Sequence, residues 1–327
     1  MLMTIFHDCS NAEERPSHRG GGGPKQNDVM RYLWKYAAEY DCMQGPLEAA
    51  SVVITNDCYS EEALQSGLPR LKRMDGTYST PELLGRNTPL NLAAEQADTV
   101  VFNCQFSKLS LGVIYPQLRV KHSLVVTNEV DPCEFFPRLD SQLGGGRIHL
   151  ACVATHWGRP EKRGEAIVQL ARQSLLLPVV FHFIGGIPAE WVLPSNCITH
   201  GYQSDYAAYR LLLQQCHGMV HLAWRDAGPK TVLQGLACGL PVLYAHSGGN
   251  PELVGEEYGA GVPEEDDPGL VCGVPTAPAE KTLECFHLYL ESFPKLHKAL
   301  VARPHREIFR HMLTGYFDAI RQLAKDA

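Results

Sequence analysis

The sequence lacks the features that would assign it to a membrane, an oxidising compartment, a metal or a nucleic acid. No apolar run approaches the ~20 residues of a membrane helix, so any membrane partner would be a peripheral contact, met at its surface. Met1–Phe6 is apolar, but His7 and Asp8 follow at once, and it is too short for a signal segment. None of the eleven cysteines forms a CxxC pair, and their number is odd. Several, such as Cys152 within Ile148–Ala154, sit in apolar runs. They read as reduced, buried thiols of a cytoplasmic protein rather than a disulfide or zinc framework. No long basic run occurs and the net charge is −7, which argues against nucleic acid as a partner. GxSxG, Walker A and GxGxxG are all missing, Gly185-Gly186 being no dinucleotide fingerprint. The acidic cluster Glu264–Asp267 is flanked by proline and reads as a solvated face. His7, His18 and His156 are not spaced as ligands on one helix. No metal and no cofactor is expected.

What is present suits an α/β protein of two domains. The chain has 327 residues, 45% hydrophobic and 20% charged, enough for two separate cores. Short apolar runs alternate with helical patterns: strands at Met1–Phe6, Ser51–Thr55, Thr99–Asn103 and Ser123–Thr127, helices at Asn27–Glu39 and Pro89–Ala97. Arg138–Arg147 carries Gly144, Gly145 and Gly146 and reads as a linker. The pattern then restarts, with strands at Ile148–Ala154, Val179–Ile184, Cys197–His200, Gly218–Leu222 and Pro241–Ala245. Helices are expected at Gly164–Gln173, Tyr206–Gln215 and Pro229–Cys238. Alternation of this kind predicts βαβ units and parallel sheets. The domains expected are residues 1–138 and 148–305, with a last helix within 306–327 crossing back to the first. Ligands of such sheets bind beyond the carboxyl ends of the strands.

Asp226–Val254, DAGPKTVLQGLACGLPVLYAHSGGNPELV, carries the most chemistry. Gly228-Pro229 breaks the preceding strand, Pro229 suits the first helical position, and Gly239 suits the position past the helix end. The helix N-terminus, with Ala227, Gly228, Pro229, Lys230 and Thr231, is a site for a diphosphate. Asp226 and Gln234, eight residues apart, bracket it. A second segment, Thr155–Gly164, places Arg159, Lys162 and Arg163 between a strand and a helix, where cations can neutralise a diphosphate leaving group.

The first segment resembles the donor-binding motif of family-4 (group 1) glycosyltransferases, in LACGLPV at Leu236–Val242 and GGNPE at Gly248–Glu252. Asp226 and Gln234 stand where that family has two glutamates, which contact the transferred sugar and the ribose. Arg159 with Lys162 or Arg163 resembles the family's pyrophosphate clamp. His200-Gly201-Tyr202 resembles its nucleotide-base loop, ADTVVFNCQFS its N-domain AD-x-V-I-x-x-S strand, and NEVDPCEFFP the segment leading into its linker. In order, these cover most of the chain from Leu71 onward. The resemblance implies a GT-B fold, two Rossmann-like doubly wound domains facing across a cleft. Gly22 and Gly23, in the turn Gly20–Pro24, would approach the donor, and Arg73 and Asp75 the acceptor. The family's N-domain histidine has no counterpart in Ile54–Cys58, so that role is unassigned.

The reaction implied is metal-independent transfer of a hexosyl or pentosyl group from a nucleotide sugar, with retention. The acceptor would be a hydroxyl of a glycan, lipid or protein. Asp226, Arg159, Lys162 and Arg163 are the catalytic candidates; Gly201, Tyr202 and Gln234 join the donor set. A GT-B sugar-nucleotide epimerase and a catalytically silent sugar-nucleotide-binding homologue are the alternatives.

Overall fold

The computed structural model describes residues 2–9, 28–137, 146–267 and 271–326. The Gly20–Pro24 turn, with Gly22 and Gly23, and residues 138–145 of the expected linker lie outside them. The chain divides into two compact units: Met1–Glu129 with Asp267–Gly273 and Arg306–Ala327, and Val130–Asp266 with Val274–His305.

Among the described residues, the first unit holds a six-stranded sheet. Its strands are β1 (Met3–His7), β2 (Cys42–Gln44), β3 (Val52–Thr55), β4 (Arg70–Met74), β5 (Thr99–Phe102) and β6 (Ser123–Val125), in the order β2-β1-β3-β4-β5-β6. Every neighbouring pair is parallel. β3 and β5, VVIT and TVVF, are buried along their whole length, as a sheet covered on both faces requires. One face packs Ile5, Val52 and Leu71 against the helices Asp28–Tyr36 and His305–Lys325. The second helix contributes Phe309, Met312, Leu313, Tyr316, Phe317 and Ile320, a stripe at helical period. The other face packs Val53, Val100 and Phe102 against Ala93 and Ala94 of the Asn87–Gln96 helix and Leu111 of the Gln105–Ile114 helix.

The Arg70–Tyr78 stretch, polar and basic in sequence, begins with the central strand β4. Lys72 and Arg73 are each 1% exposed. Arg73 Nε donates to the Tyr316 hydroxyl at 3.0 Å and its Nη2 to Asn128 Oδ1 at 3.1 Å, while Asp75 pairs with it at 2.5 Å. Burial pushes the Lys72 amine down to about 8, against the pull of Asp75 and Asp57. Local charge density hid a strand whose polar ends are satisfied from distant elements.

The second unit repeats the plan: β7 (Ile148–His156), β8 (Val179–Gly186), β9 (Cys197–Gly201), β10 (Gly218–His221), β11 (Val242–Ala245) and β12 (Gly259–Val262), in the order β12-β11-β10-β7-β8-β9. All neighbours are again parallel. Ala151, Val153, Met219 and Val242 face the helices Tyr206–Gln215 and Lys230–Ala237. Leu150, Cys152, Phe181 and Val220 face the helices Gly164–Gln173 and Ala279–Val301. The cysteines are all free. β12, GAGV, escaped the sequence reading because half of it is glycine. It needs one at Gly259, where a Cβ would come 2.1 Å from the Val242 carbonyl oxygen.

Gly185, near the end of β8, has φ +126°, and a Cβ there would meet the Ala154 carbonyl oxygen at 1.6 Å. Gly185→Ala is expected to cost about 3 kcal/mol or more, from backbone strain and displacement of β7. Gly112, in the Gln105–Ile114 helix, has nothing within 4 Å of such a Cβ. Gly112→Ala should add about 0.5–1 kcal/mol through helix propensity. Urea denaturation of both variants checks the pair; equal midpoints would refute the close approach at Gly185.

Candidate functional site

Two loops at the carboxyl ends of β7 and β10 form the site. The first runs from Trp157 through a short 3₁₀ turn, Pro160–Lys162, into the Gly164–Gln173 helix. The second runs from Leu222 to Pro229 and enters the Lys230–Ala237 helix. A backbone bond from Trp224 N–H to the Glu161 carbonyl, 2.9 Å, stitches them together. Pro229 is the N-cap residue rather than the first helical one. The helix ends as its sequence suggests: Gly239 takes φ +84°, and Leu240 N–H reaches back to the Gly235 carbonyl at 2.9 Å. This left-handed closure is one that glycine adopts freely.

The stitch brings Lys162 Nζ to 2.5 Å from Asp226 Oδ2. Each side chain is about one-fifth exposed (21% and 20%). On the far side of the carboxylate, His221 Nε2 lies 3.5 Å from the same oxygen. That contact is too long for a good hydrogen bond, and Nε2 has no hydrogen-bond partner among the described residues. Burial opposes the charge on Asp226, yet Lys162 and then His221 hold its carboxyl well below the usual carboxylate range. Burial is also the main influence on His221, lowering its pKa against the pull of Asp226. The arrangement is therefore a fixed anion between an ammonium and a neutral imidazole.

Flanking this pair are two arginines in left-handed backbone, Arg163 and Arg225, each with φ 49°. Non-glycine residues in that region cost about 1–3 kcal/mol each, so something must hold them there. Both are pinned from one segment. Glu264 meets Arg163 Nη1 at 2.5 Å, and Asp266 meets Arg225 Nε at 2.6 Å. Arg163 Nε also donates to the Pro275 carbonyl at 3.0 Å. Asp266 accepts further bonds from Ser247 Oγ at 2.8 Å and Gly248 N–H at 3.1 Å. Gly249 N–H bonds the Asp226 carbonyl at 2.9 Å, so the GGNPE segment clamps the Asp226 loop from behind. The Glu264–Asp267 cluster is thus a solvated face only in part: Glu265 and Asp267 are exposed, whereas the side chains of Glu264 and Asp266 are taken up in ion pairs.

The other candidates divide. Arg163 turns into the fold and leaves Lys162 as the cation facing Asp226. Arg159 is half exposed and paired with Glu161. Gln234 is 1% exposed; its Oε1 accepts from Tyr209 at 2.9 Å and its Nε2 donates to the Tyr206 hydroxyl at 2.7 Å. Lys230 is exposed; Thr231, Ala227 and Gly228 are partly so. Gly201 ends β9 at φ +63°, followed by exposed Tyr202. In the first unit, Arg73 and Asp75 pair with each other, and His7 meets Asn56 Oδ1 at 3.3 Å. That histidine arrives from β1, beside the very stretch that lacks one. His221, Tyr206, Tyr209, Glu264 and Asp266 were missed. Only His221, five residues before Asp226, had a local signal; the rest meet the site through tertiary packing.

Neither a protein-family model nor a characterised relative matches the chain by sequence. Solved structures do match in shape. Sucrose-phosphate synthase from Thermosynechococcus elongatus gives a TM-score of 0.72 at 14% identity, covering 99% of this chain and 100% of that one. The chain has the GT-B fold. A glycosyltransferase from Rickettsia africae gives 0.65 at 14% identity over 100% of both chains. HepE from Anabaena, in complex with UDP-glucose, gives 0.59 at 15% identity, covering 100% of this chain and 99% of that one. On this GT-B scaffold, the Lys162–Asp226 pair sits at the strand ends where parallel α/β sheets bind ligands.

The buttress gives a stability prediction. Glu264→Ala strands a buried guanidinium in strained backbone, and should cost about 3–5 kcal/mol. Glu161→Ala, which touches only the surface partner of Arg159, should cost about 1 kcal/mol or less. Chemical denaturation of the two variants decides; similar losses would remove the buttressing role from Glu264.

Proposed function

We propose that this chain transfers a sugar from a nucleoside-diphosphate sugar to a hydroxyl acceptor, with retention of anomeric configuration. The observation that carries the reading is the Lys162–Asp226 pair, set beside the N-terminus of the Lys230–Ala237 helix on a GT-B fold. In the ligand-free chain the Lys162 ammonium rests on Asp226. A diphosphate bound at the helix N-terminus offers that ammonium a second anion, and helix dipole and ammonium together stabilise the departing charge. Asp226, kept ionised by its neighbours, is an acceptor for sugar hydroxyls throughout the physiological pH range. Arg159, on the exposed turn, is a further cation within reach of the loop. The acceptor would be a hydroxyl of a glycan, lipid or protein. No metal is required by this scheme.

A second reading is favoured by Gln234. Both ends of its amide are taken by tyrosine hydroxyls, so it offers a ribose less than a free carboxylate would. A homologue that binds sugar nucleotides without transfer is consistent with that.

Uridine diphosphate is the nucleotide to test first, because HepE holds UDP-glucose. By calorimetry, Lys162→Ala should weaken UDP binding by about 1.5–3 kcal/mol, the scale of a charged hydrogen bond. Asp226→Asn should leave UDP affinity equal or tighter while lowering product formation from the full donor. Unchanged UDP affinity in Lys162→Ala would count against the assignment. Binding without transfer for every donor tried would favour the silent reading.

A further inference from the structure

Four histidines cross the β7–β8–β9 side of the second unit, and no part of the proposed chemistry uses them. His149 Nδ1 lies 2.7 Å from His182 Nε2, and His182 Nδ1 lies 2.9 Å from His200 Nε2. His217 joins from before β10: its Nδ1 accepts the His149 backbone N–H at 2.9 Å, and its own N–H returns to the His149 carbonyl at 2.7 Å. Among the described residues, no group of three or more His, Cys, Asp or Glu is arranged to hold a metal ion. These ring nitrogens point at one another instead.

Proton counting shows what this row tolerates. Each ring-to-ring bond needs one N–H and one lone pair. Three neutral rings satisfy both bonds, with the two N–H groups pointing the same way along the row. One added proton is accommodated, since a cationic His182 donates to both neighbours. A second proton cannot be: it sets two N–H groups against each other in at least one bond and places a second positive charge in the row. His217 tolerates none, because its Nδ1 lone pair is already filled by the His149 N–H. Among the described residues, no carboxylate pairs with any of the four. The other charged or titratable groups bearing on them are Arg147 beside His149 and His297, from the Ala279–Val301 helix, beside His217. Both act against protonation.

The row ends on one of the two edge strands of the sheet. Among the described residues, β9 is bonded only to β8. Its register slips where Phe183 pairs with Thr199 but Ile184 pairs with Gly201, leaving His200 as the extra residue of a bulge. The ring-to-ring bond between His182 and His200, whose planes are inclined by only 10°, holds that irregular point from the side.

We propose that the histidine row is an acid-sensitive catch, which holds β9 to its sheet while the rings share at most one proton and releases it when they take up more. Burial depresses all four rings, and pushes His182 down to about 4, its histidine neighbours adding to the effect. The sign follows from linkage. An unfolded histidine titrates near ~6.5, so below that the opened state takes up more protons than the closed one. The catch is fully effective above about pH 6.5 and is lost as pH falls toward about 4. Gly201 and Tyr202, the donor-base candidates, follow His200 directly. On the reading under Proposed function, acid would therefore loosen the nucleotide-base loop.

Hydrogen exchange on the ligand-free chain tests the catch without relying on that reading. After correction for intrinsic rates, Cys197–Tyr202 should lose about tenfold protection between about pH 7.5 and about pH 5, the scale of a local opening. β3 and β5 should keep theirs. His200→Asn, which keeps a hydrogen-bonding side chain but cannot titrate, should show β9 protection that depends less on pH. Equal wild-type protection at both pH values overturns the proposal, as does simultaneous loss from β9 and the first unit. Should the variant not fold, imidazole titration of the wild type by NMR decides: four rings titrating independently near ~6.5 also overturn it. Absence of UDP binding at either pH counts against the proposed function and leaves the exchange result standing.

Discussion

One segment of chain, Glu264 to Asp266, makes the candidate site geometrically consistent. Its two carboxylates hold two arginines in backbone that only glycine adopts freely. The paired candidates Lys162 and Asp226 are each the immediate neighbour of one of those arginines. The strained turns aim these two side chains at each other, and the buried ion pairs stop the turns from relaxing. Such pairs are poor sources of net stability, because desolvation offsets most of their attraction. Their value here is geometric, fixing two loops that come from strands far apart in sequence.

Charge is distributed around the site by exclusion as much as by pairing. His221 is kept neutral by burial although a carboxylate stands 3.5 Å away, and Gln234 is neutral by composition. The charges buried beside the Lys162–Asp226 pair, Arg163 with Glu264 and Arg225 with Asp266, are themselves paired. An anionic ligand arriving there exchanges one salt bridge for another instead of having to neutralise an unpaired group.

The alternating pattern of the chain was enough to place most strands and helices. Helix–strand periodicity is local, and Tyr206–Gln215 and Gly164–Gln173 come out with the bounds that the sequence suggests. Reading failed where local composition and tertiary role conflict. RLKRM is a central strand because Tyr316 and Asn128, far along the chain, satisfy Arg73. EEDD looks like a solvent-facing run because nothing near it reveals two arginines some forty and a hundred residues upstream. At the site, motif order picked out Asp226 and the basic turn Arg159–Arg163, whereas the choice between Lys162 and Arg163 was not legible. That choice depends on the sign of one φ angle, which no side-chain pattern encodes.

The first unit draws its core from both ends of the numbering. Ile5 and Val52 pack against Phe309, Phe317 and Ile320, while every residue of the second unit lies between Val130 and His305. On the ribosome this imposes an order. The second unit has all its strands and helices before the first unit has its last helix. Until that helix emerges, Ile5, Val52, Ile54 and Leu71 are covered on that face of the first sheet by the Asp28–Tyr36 helix alone. Once residue 305 has cleared the ribosome and before the last helix follows, the nascent chain would be a folded second unit tethered to an incomplete sheet, the state most in need of a chaperone.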